Sequence, residues 1–381
     1  MIASSPLKTN YHTMKHLNIK QFLVAALILT TSLYSCKKDG KDLEPTLPVT
    51  GKYENGFFVL GEGSFGQSAG VVNFYRYGSD ELNIRAYENE NPGKTVSNAG
   101  KSSTLQFASM INGSLFLLSK YSGPIVKVNA LTLKEEARFS QETSNWRSIL
   151  QIDGNRGLVS TGDGVYPIDL TTLNIGNKLN SVGALNTGDM HKNGDNVYLL
   201  QSNGAKIVSA SNNYSFVKSF TNLNRGFAQT PNGKVWSSTG TRLIAIDANL
   251  DTVGVALPVG IGSFGIDAPT RITASTKENA VFYHADKDIY KYVDGNAASL
   301  AKPFISISDN PFMVYGAIRY DKNKDYIVVN GIQGYGAAST VNYLIIYNAT
   351  TGALVKKVKY GGDGITTDFS KIYYPGLAVF Q

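Results

Sequence analysis

The chain has few side chains that could carry acid–base or metal chemistry, and they are far apart in sequence. Four histidines and one cysteine occur in 381 residues, and only His191 and His284 lie beyond residue 36. His284 begins the stretch His-Ala-Asp-Lys-Asp, which could contact a ligand but has too few donors to hold a metal by itself. His191 precedes an Asn-Gly turn and is expected on a solvated hairpin. We therefore expect a binding protein without a metal or cofactor, and not an enzyme.

Two further motifs resemble ligand loops but lack a required feature. Residues 321–325 (Asp-Lys-Asn-Lys-Asp) begin like a calcium loop, but Tyr326 occupies the place of the required glycine, so a solvated turn is expected. Residues 61–66 (Gly-Glu-Gly-Ser-Phe-Gly) follow a predicted strand, but no predicted helix follows that could present amide groups to a phosphate. The formal net charge is +7. No basic cluster stands out, so nucleic-acid binding is not expected.

Tight turns recur along the chain and predict the architecture that must position any site. Asn-Gly or Asp-Gly pairs begin at residues 112, 153, 193 and 232, at intervals of 41, 40 and 39 residues. Each pair supplies the positive φ that a short hairpin needs, and a short apolar strand follows it. A third and a fourth strand come after it, and the strand that leads into the turn makes four in each unit. Four short strands in about 40 residues are typical of a β-propeller blade.

The two ends of this repeat complement each other. Residues 56–89 contain only three predicted strands, at 56–60, 71–77 and 82–87, whereas a lone strand at 376–380 ends the chain. If the last strand completes the first unit, seven four-stranded blades close into a ring with no open edge. We therefore predict an all-β, seven-bladed propeller. Six or eight blades are the alternatives, because residues 260–360 are less regular than the rest.

The amino-terminal segment has the pattern of a secretory signal followed by a tether. An apolar run at 22–33 follows Lys15 and Lys20 and leads into Leu-Tyr-Ser-Cys, which resembles a bacterial lipobox ending at Cys36. We predict that residues 1–36 are a signal peptide whose true start is Met14, and that Cys36 is lipidated. Residues 37–52 have the Pro, Gly and charge content of a tether, and residues 53–381 are predicted to be one propeller domain.

These features together resemble a known family. The lipobox, the seven units, the Asp-x-x-Thr turn that begins at Asp169 and the opening phrase at 56–66 are similar to those of the YncE-like propeller lipoproteins of Bacteroidota. The BtuG-like members of that group capture cobalamin above a TonB-dependent transporter. The resemblance therefore implies a surface-exposed outer-membrane protein, held by its lipid anchor alone, that captures a corrinoid for such a transporter.

The candidate ligand-binding residues lie in loops that this topology places on one rim. In a propeller the connections between second and third strands and those leading to the innermost strands meet at the same face. They carry aromatic and polar side chains suited to a ligand or partner surface. The predicted ligand-binding residues are Tyr121, Trp146, Arg147, Arg225, Gln333 and Tyr335. The wider set of rim residues includes Glu62, Phe65, Asp189, Tyr315 and Tyr374.

Two alternatives stay open at this point. Some of the rim residues, Trp146 above all, could pack between blades instead of facing a ligand. The rim could also bind a protein or glycan, which would make the chain a non-enzymatic scaffold anchored to the cell envelope. Residues 330–341, which are rich in glycine and polar residues, are expected to form a flap over the rim in either case.

Overall fold

The regular secondary structure of the described residues is almost all β-strand, and the strands form seven antiparallel sheets. The computed structural model describes residues 51–98, 103–141, 145–262, 265, 268–308, 312–365 and 372–381, and these belong to one compact unit, Val49–Gln381. Within that part of the chain, the sheets are the blades of a seven-bladed β-propeller, which confirms the predicted fold and excludes six or eight blades. The predicted signal segment, Cys36 and residues 37–50 of the predicted tether lie outside the described residues.

The first blade contains β1 (Gly56–Gly61), β2 (Val71–Arg76) and β3 (Leu82–Asn83), and the second β4 (Leu105–Ile111), β5 (Ser114–Ser119), β6 (Ile125–Asn129) and β7 (Glu135–Phe139). The third contains β8 (Ser148–Asp153), β9 (Arg156–Thr161) and β10 (Gly164–Asp169), and the fourth β11 (Thr187–Asn193), β12 (Asn196–Gln201), β13 (Gly204–Ser209) and β14 (Phe216–Thr221). The fifth contains β15 (Ala228–Gln229), β16 (Val235–Ser238), β17 (Arg242–Ile246) and β18 (Thr252–Ala256), and the sixth β19 (Ile272–Ala274), β20 (Ala280–Ala285), β21 (Asp288–Val293) and β22 (Ile305–Ser306). The seventh contains β23 (Met313–Val314), β24 (Arg319–Asp321), β25 (Tyr326–Ile332), β26 (Val341–Asn348) and β27 (Leu354–Gly361), and β28 (Pro375–Phe380) returns to the first.

The innermost strands line a ring. β28 lies beside β4, β4 beside β8, β8 beside β11, β15 beside β19, β19 beside β24, and β24 beside β28. The middle strands are buried on both faces, as β1 and β5 are along their whole lengths. The outermost strands alternate between exposed and half-buried residues, as β14 does. Apolar side chains therefore lie mainly between neighbouring blades, and this packing holds the ring together.

The last strand closes the ring as predicted. β28 pairs antiparallel with β1, so that Phe57 lies opposite Phe380 and Phe58 opposite Val379. Leu377 is buried in a cluster of apolar side chains drawn mainly from the first and second blades. Because β28 pairs with the inner side of β1, β1 has no unpaired edge that could aggregate.

Three blades differ from the predicted pattern. The strand predicted at 82–87 ends at Asn83, because Arg85 adopts a left-handed conformation with φ 53° and the short helix α1 (Ala86–Glu90) follows. The third blade has three strands, and a single bridge between Ile168 and Ile175 stands where its fourth strand would be. In the seventh blade the innermost strand is split, since β23 and β24 both pair with β25.

Short 3-10 helices occupy two connections, Ala297–Leu300 and Gly336–Thr340. The second of these lies in the segment predicted to be a flap. Strand β25 extends to Ile332, and Ser339 and Thr340 are buried, so only the central part of that segment is exposed. In the described residues, no helix has the length and apolar character needed to cross a membrane.

Candidate functional site

Strand ends from four blades meet in a small polar pocket near the axis of the ring. Glu62 directly follows β1, Lys120 directly follows β5, and Gln106 lies in β4. Arg271 directly precedes β19, and Tyr315 lies between β23 and β24. These five residues line a cavity of about 100 Å³, hereafter the Glu62 pocket. They meet because antiparallel blades bring the end of each second strand and the start of each innermost strand to one side of the ring, hereafter the loop face.

A buried carboxyl group is the centre of this pocket. Glu62 is 5% exposed, and its Oε2 accepts a 2.7 Å hydrogen bond from Gln106 Nε2 and a 3.3 Å bond from the Tyr315 hydroxyl. Burial raises the pKa of Glu62 to about 7, although the Gln106 bond and the charge of Lys120 oppose the shift. The carboxyl group therefore exchanges its proton near neutral pH.

Arg271 also lines the pocket. Its guanidinium donates to the carbonyl oxygen of Gly316 and, over 3.2 Å, to Nε2 of His284. The other ring nitrogen of His284 lies 3.3 Å from the Asp286 carbonyl oxygen, which fixes a neutral tautomer. Burial and the nearby Arg271 charge lower the pKa of His284 to about 4, so this ring adds no positive charge at neutral pH.

A second and larger cavity lies deeper in the ring. It has a volume of about 400 Å³, shares Pro269 with the Glu62 pocket, and is lined by Arg147, Asp189 and Arg319 among others; it is hereafter the central cavity. Asp189 accepts hydrogen bonds from the Thr270 hydroxyl and from the Phe227 amide, the latter over 3.2 Å. Burial raises the pKa of Asp189.

Arg319 is a half-buried cation that lines the central cavity. It donates to the carbonyl oxygens of Thr270 and Ile318 over 2.8 and 2.9 Å. Burial lowers its pKa to about 10, and the charge of Asp189 acts in the opposite direction. Burial, together with the charges of Arg319 and Arg225, likewise lowers the pKa of Arg271 to about 10. These arginines keep their charge at neutral pH, but they are close enough to repel one another.

Aromatic pairs surround the Glu62 pocket. Phe65 and Tyr121 meet edge to face with ring centroids 5.7 Å apart, and both are exposed. Tyr315 stacks on Tyr374 at 5.1 Å. Phe312 and Tyr335 form a third pair at 5.6 Å, and Tyr335 is 61% exposed. The loop face thus combines a polar centre with exposed aromatic surface.

Comparison with known proteins identifies a family. The family described as "Domain of unknown function (DUF5074)" matches residues 55–381. The chain belongs to this family. No curated protein matches the chain.

Solved structures similar to this member of the family share its fold. A quinoprotein alcohol dehydrogenase-like protein from Bacteroides thetaiotaomicron is 19% identical with a TM-score of 0.68, covering 86% of this chain and 78% of its own. Apo AztD from Citrobacter koseri is 10% identical with a TM-score of 0.52, covering 85% of this chain and 98% of its own. The dihydro-heme d1 dehydrogenase NirN is 11% identical with a TM-score of 0.51, covering 93% of this chain and 85% of its own. At these identities the likeness is one of fold.

Four of the six predicted ligand-binding residues have solvent-accessible side chains. Tyr121, Gln333 and Tyr335 are exposed, and Gln333 accepts a 3.2 Å hydrogen bond from the Tyr343 hydroxyl. Arg225 is half-buried and donates to the carbonyl oxygen of Ile261 over 3.1 Å. These residues belong to the loops of the second, fifth and seventh blades.

The other two predicted residues are buried. Trp146 is 2% exposed, its indole Nε1 donates to the carbonyl oxygen of Gly123 over 3.1 Å, and it packs edge to face on Phe139. This is the packing between blades that the sequence left open as the alternative. Arg147 is also 2% exposed and lines the central cavity, not the rim.

The histidine positions differ from the sequence prediction. His191 lies within the innermost strand β11 and not on a solvated hairpin, and its Nε2 donates to Gln229 Oε1 over 3.2 Å. Burial lowers its pKa. His284 lies within β20, one residue before its end, and not in the following loop. In the described part of the chain, no group of three or more His, Cys, Asp or Glu residues could hold a metal ion.

Several residues of the two cavities have no signal in the sequence. Gln106, Lys120, Arg271 and Arg319 stand in ordinary strand or turn contexts, and their convergence depends on how seven blades close. Glu62 and Tyr315 belong to the wider set of predicted rim residues. The glycine-rich loop after β1 is the one local signal that could have drawn attention to Glu62.

Proposed function

We propose that this propeller is a lipid-anchored protein at the surface of the outer membrane that captures a corrinoid and delivers it to a TonB-dependent transporter without catalysing a reaction. One observation carries the binding part of this proposal. Exposed aromatic side chains surround a polar pocket on a single face, at Tyr121 and Phe65 on one side and at Tyr335 and Phe312 on another. Location and transport rest on the lipobox and the family resemblance of the sequence.

The chemistry of a corrinoid matches this face. A corrinoid has a flat apolar macrocycle bordered by amide groups, and it carries a phosphate in its nucleotide loop. Tyr121 and Tyr335 can cover apolar ring surface at low entropic cost, because each has only two side-chain torsions. Gln333 and Arg225 offer donors for amide oxygens, and arginine also suits a phosphate. The ligand is too large to enter either cavity, so it would lie across the openings.

The test is titration calorimetry of the purified protein with cyanocobalamin. We expect binding at micromolar concentrations or better, and we expect Tyr335→Ala and Tyr121→Ala each to weaken it about tenfold or more, as truncation of an aromatic anchor does. Phe216→Ala is the matched control. Phe216 is 58% exposed, similar to Tyr335, but it lies on the outermost strand β14, away from the loop face.

The outcomes separate the two candidate functions. Weaker cyanocobalamin binding in Tyr335→Ala or Tyr121→Ala, together with unchanged binding in Phe216→Ala, supports corrinoid capture at the loop face. If the wild-type protein releases no heat with cyanocobalamin at tens of micromolar, the corrinoid proposal fails. The exposed aromatic pairs would then be assigned to a protein or glycan partner, since such side chains are the usual anchors of an interface.

A further inference from the structure

Positive charges outnumber negative charges where the two cavities meet. Among the described residues, Glu62 and Asp189 are the two carboxyl groups that line these cavities near the loop face. The cations of this region are Lys120 and Arg271 in the Glu62 pocket, Arg147 and Arg319 in the central cavity, and Arg225, which is close enough to lower the pKa of Arg271. His191 and His284 are neutral at neutral pH, because burial lowers the pKa of both.

This excess of buried charge has an energetic cost. Removing a cation from water is unfavourable unless an opposite charge or hydrogen bonds compensate for it, and like charges in a concave low-dielectric site repel each other strongly. Burial lowers the pKa of both Arg271 and Arg319 to about 10, and for Arg271 the charges of Arg319 and Arg225 lower it further. A bound anion would relieve the repulsion and would gain from the focused positive potential.

The Glu62 pocket has the size and donors for such an anion. A cavity of about 100 Å³ accommodates a carboxylate or phosphate group but not a large ring. Lys120 supplies an ammonium group, Arg271 a planar guanidinium, and Tyr315 a hydroxyl whose pKa is raised by burial and by the nearby Glu62 charge, so that it stays a donor. These are the donor types that bind oxyanions.

We propose that the Glu62 pocket binds an anionic oxygen group, a phosphate or carboxylate, between Lys120 and Arg271. This inference deepens the proposed function. It rests on that function in one respect, namely that the loop face is the ligand-binding face. It holds for any ligand that presents such a group, and it names the chemical group that the centre of the face recognises.

Glu62 links this binding to a proton. An ionised Glu62 carboxylate would repel the anion, whereas the protonated carboxyl group would not. The groups facing it are Lys120, Arg271 and Tyr315, with Gln106 as a neutral donor, and its pKa is about 7. Binding is therefore accompanied by proton uptake above neutral pH, and affinity falls as the pH rises through 7.

The probe is sulfate, a tetrahedral oxyanion whose charge is constant from about pH 6 to about pH 8. We expect sulfate to raise the Tm of the purified protein more than chloride at equal ionic strength, because a ligand that binds only the native state stabilises it. Calorimetry should show sulfate binding about tenfold tighter at pH 6 than at pH 8, as one linked proton with a pKa near 7 requires. An acetate titration shows whether the pocket prefers a carboxylate to a tetrahedral anion.

Two variants and a control make the test specific. Lys120→Met should weaken sulfate binding about tenfold, in line with loss of one charge-assisted contact. Glu62→Gln should bind sulfate with the same affinity at both pH values. Lys134→Met removes a lysine from the same blade whose side chain is 62% exposed and pairs with Glu90, and it should leave sulfate binding unchanged.

Equal stabilisation by sulfate and chloride in the wild-type protein overturns the proposal. So does full sulfate affinity in Lys120→Met. If Lys120→Met does not fold, Glu62→Gln provides the test. Sulfate binding that weakens between pH 6 and pH 8 in Glu62→Gln as much as in the wild type would show that Glu62 is not part of the binding site. The two proposals can fail independently. Absence of sulfate binding would not exclude cyanocobalamin binding at the loop face, and absence of cyanocobalamin binding would not exclude an anion in the Glu62 pocket.

Discussion

The side-chain amide of Gln106 donates a 2.7 Å hydrogen bond to the carboxyl group of Glu62, and this bond joins the innermost strand of the second blade to the loop that follows β1 in the first. The bond crosses the boundary between the first and second blades. It satisfies an oxygen that burial has removed from water, but it does not balance a charge. Burial therefore raises the pKa of Glu62 to about 7, although the hydrogen bond from Gln106 opposes the shift.

The first prediction concerns stability against pH. The pKa of Glu62 is higher in the folded chain than its ordinary value of 4.5, so the native state holds a proton that the unfolded state has lost between pH 4.5 and about 7. Native stability therefore falls as pH rises through this window. The wild-type protein should lose up to about 3 kcal/mol more than Glu62→Gln across it. Denaturant unfolding at a series of pH values measures the difference.

The control for this experiment is Glu81→Gln, at an exposed position of the same blade, whose profile should follow the wild type. Desolvation also raises the pKa of the half-buried Glu88 to about 7, but Glu88 is present in both proteins and cancels in the comparison. Parallel profiles for wild type and Glu62→Gln would show that the carboxyl group is solvated in solution.

The second prediction concerns closure of the ring. Deleting residues 375–381 removes β28, which pairs with β1 and contributes Leu377 and Val379 to an apolar cluster. The truncated chain should lose cooperative thermal unfolding or melt far below the wild type, because β1 loses its strand partner and the apolar cluster loses two buried side chains. Differential scanning calorimetry is the measurement.

A point substitution tests the same contact without removing backbone. Leu377→Ala should cost about 3 kcal/mol, as expected for a buried leucine. Leu354→Ala, on the outermost strand β27 where the side chain is 57% exposed, should cost less than about 0.5 kcal/mol. An undiminished Tm in both the truncation and Leu377→Ala would refute closure through β28.

The blades could be predicted from the sequence because their signals are local. Asn112, Gly113 and Gly154 do adopt positive φ, at 50°, 76° and 44°, in the two-residue turns assigned to them. The conformation of a hairpin turn depends on adjacent residues. The intervals between such turns therefore indicate the number of blades even where the predicted strand limits are wrong. The strand predicted at 82–87 failed because a single left-handed residue, Arg85, ends it.

The centre of the site could not be predicted in the same way. Arg271 and Gln106 are 165 positions apart in the chain, yet both line the Glu62 pocket. Which side chains of an innermost strand face the axis depends on strand register and on irregularities, such as the bulge between Leu105 and Phe107. Single-sequence patterns carry no information about such convergence, whereas exposed loop residues such as Tyr121 and Tyr335 follow from topology alone.

The third prediction concerns membrane attachment. Cys36→Ala should release the protein from the membrane fraction into the soluble fraction, because the resemblance to a lipobox predicts that this cysteine is lipidated. Ser35→Ala is the matched control, since it keeps a small residue before the cysteine and should leave the protein membrane-bound. Fractionation followed by a high-salt wash is the measurement. Retention of Cys36→Ala after that wash would contradict the anchor.

The fourth prediction separates stability from binding at Trp146. Its side chain fills a space between the second and third blades, with Ile149 in the same cluster and its indole bonded to Gly123. Trp146→Ala should therefore destabilise the fold by about 3 to 5 kcal/mol. Trp146→Phe keeps much of the apolar volume and should recover most of this loss, although the hydrogen bond to Gly123 is gone.

Binding measurements complete the argument for Trp146. Tyr121 is 38% exposed, so Tyr121→Ala should change the free energy of unfolding by less than about 1 kcal/mol while it weakens ligand binding at the loop face. Trp146→Phe should show the reverse, a lower Tm with ligand affinity close to that of the wild type. If Trp146→Phe instead kept its Tm and lost affinity for cyanocobalamin, the indole would have to reach the ligand, and the packing seen between the blades could not be its main role.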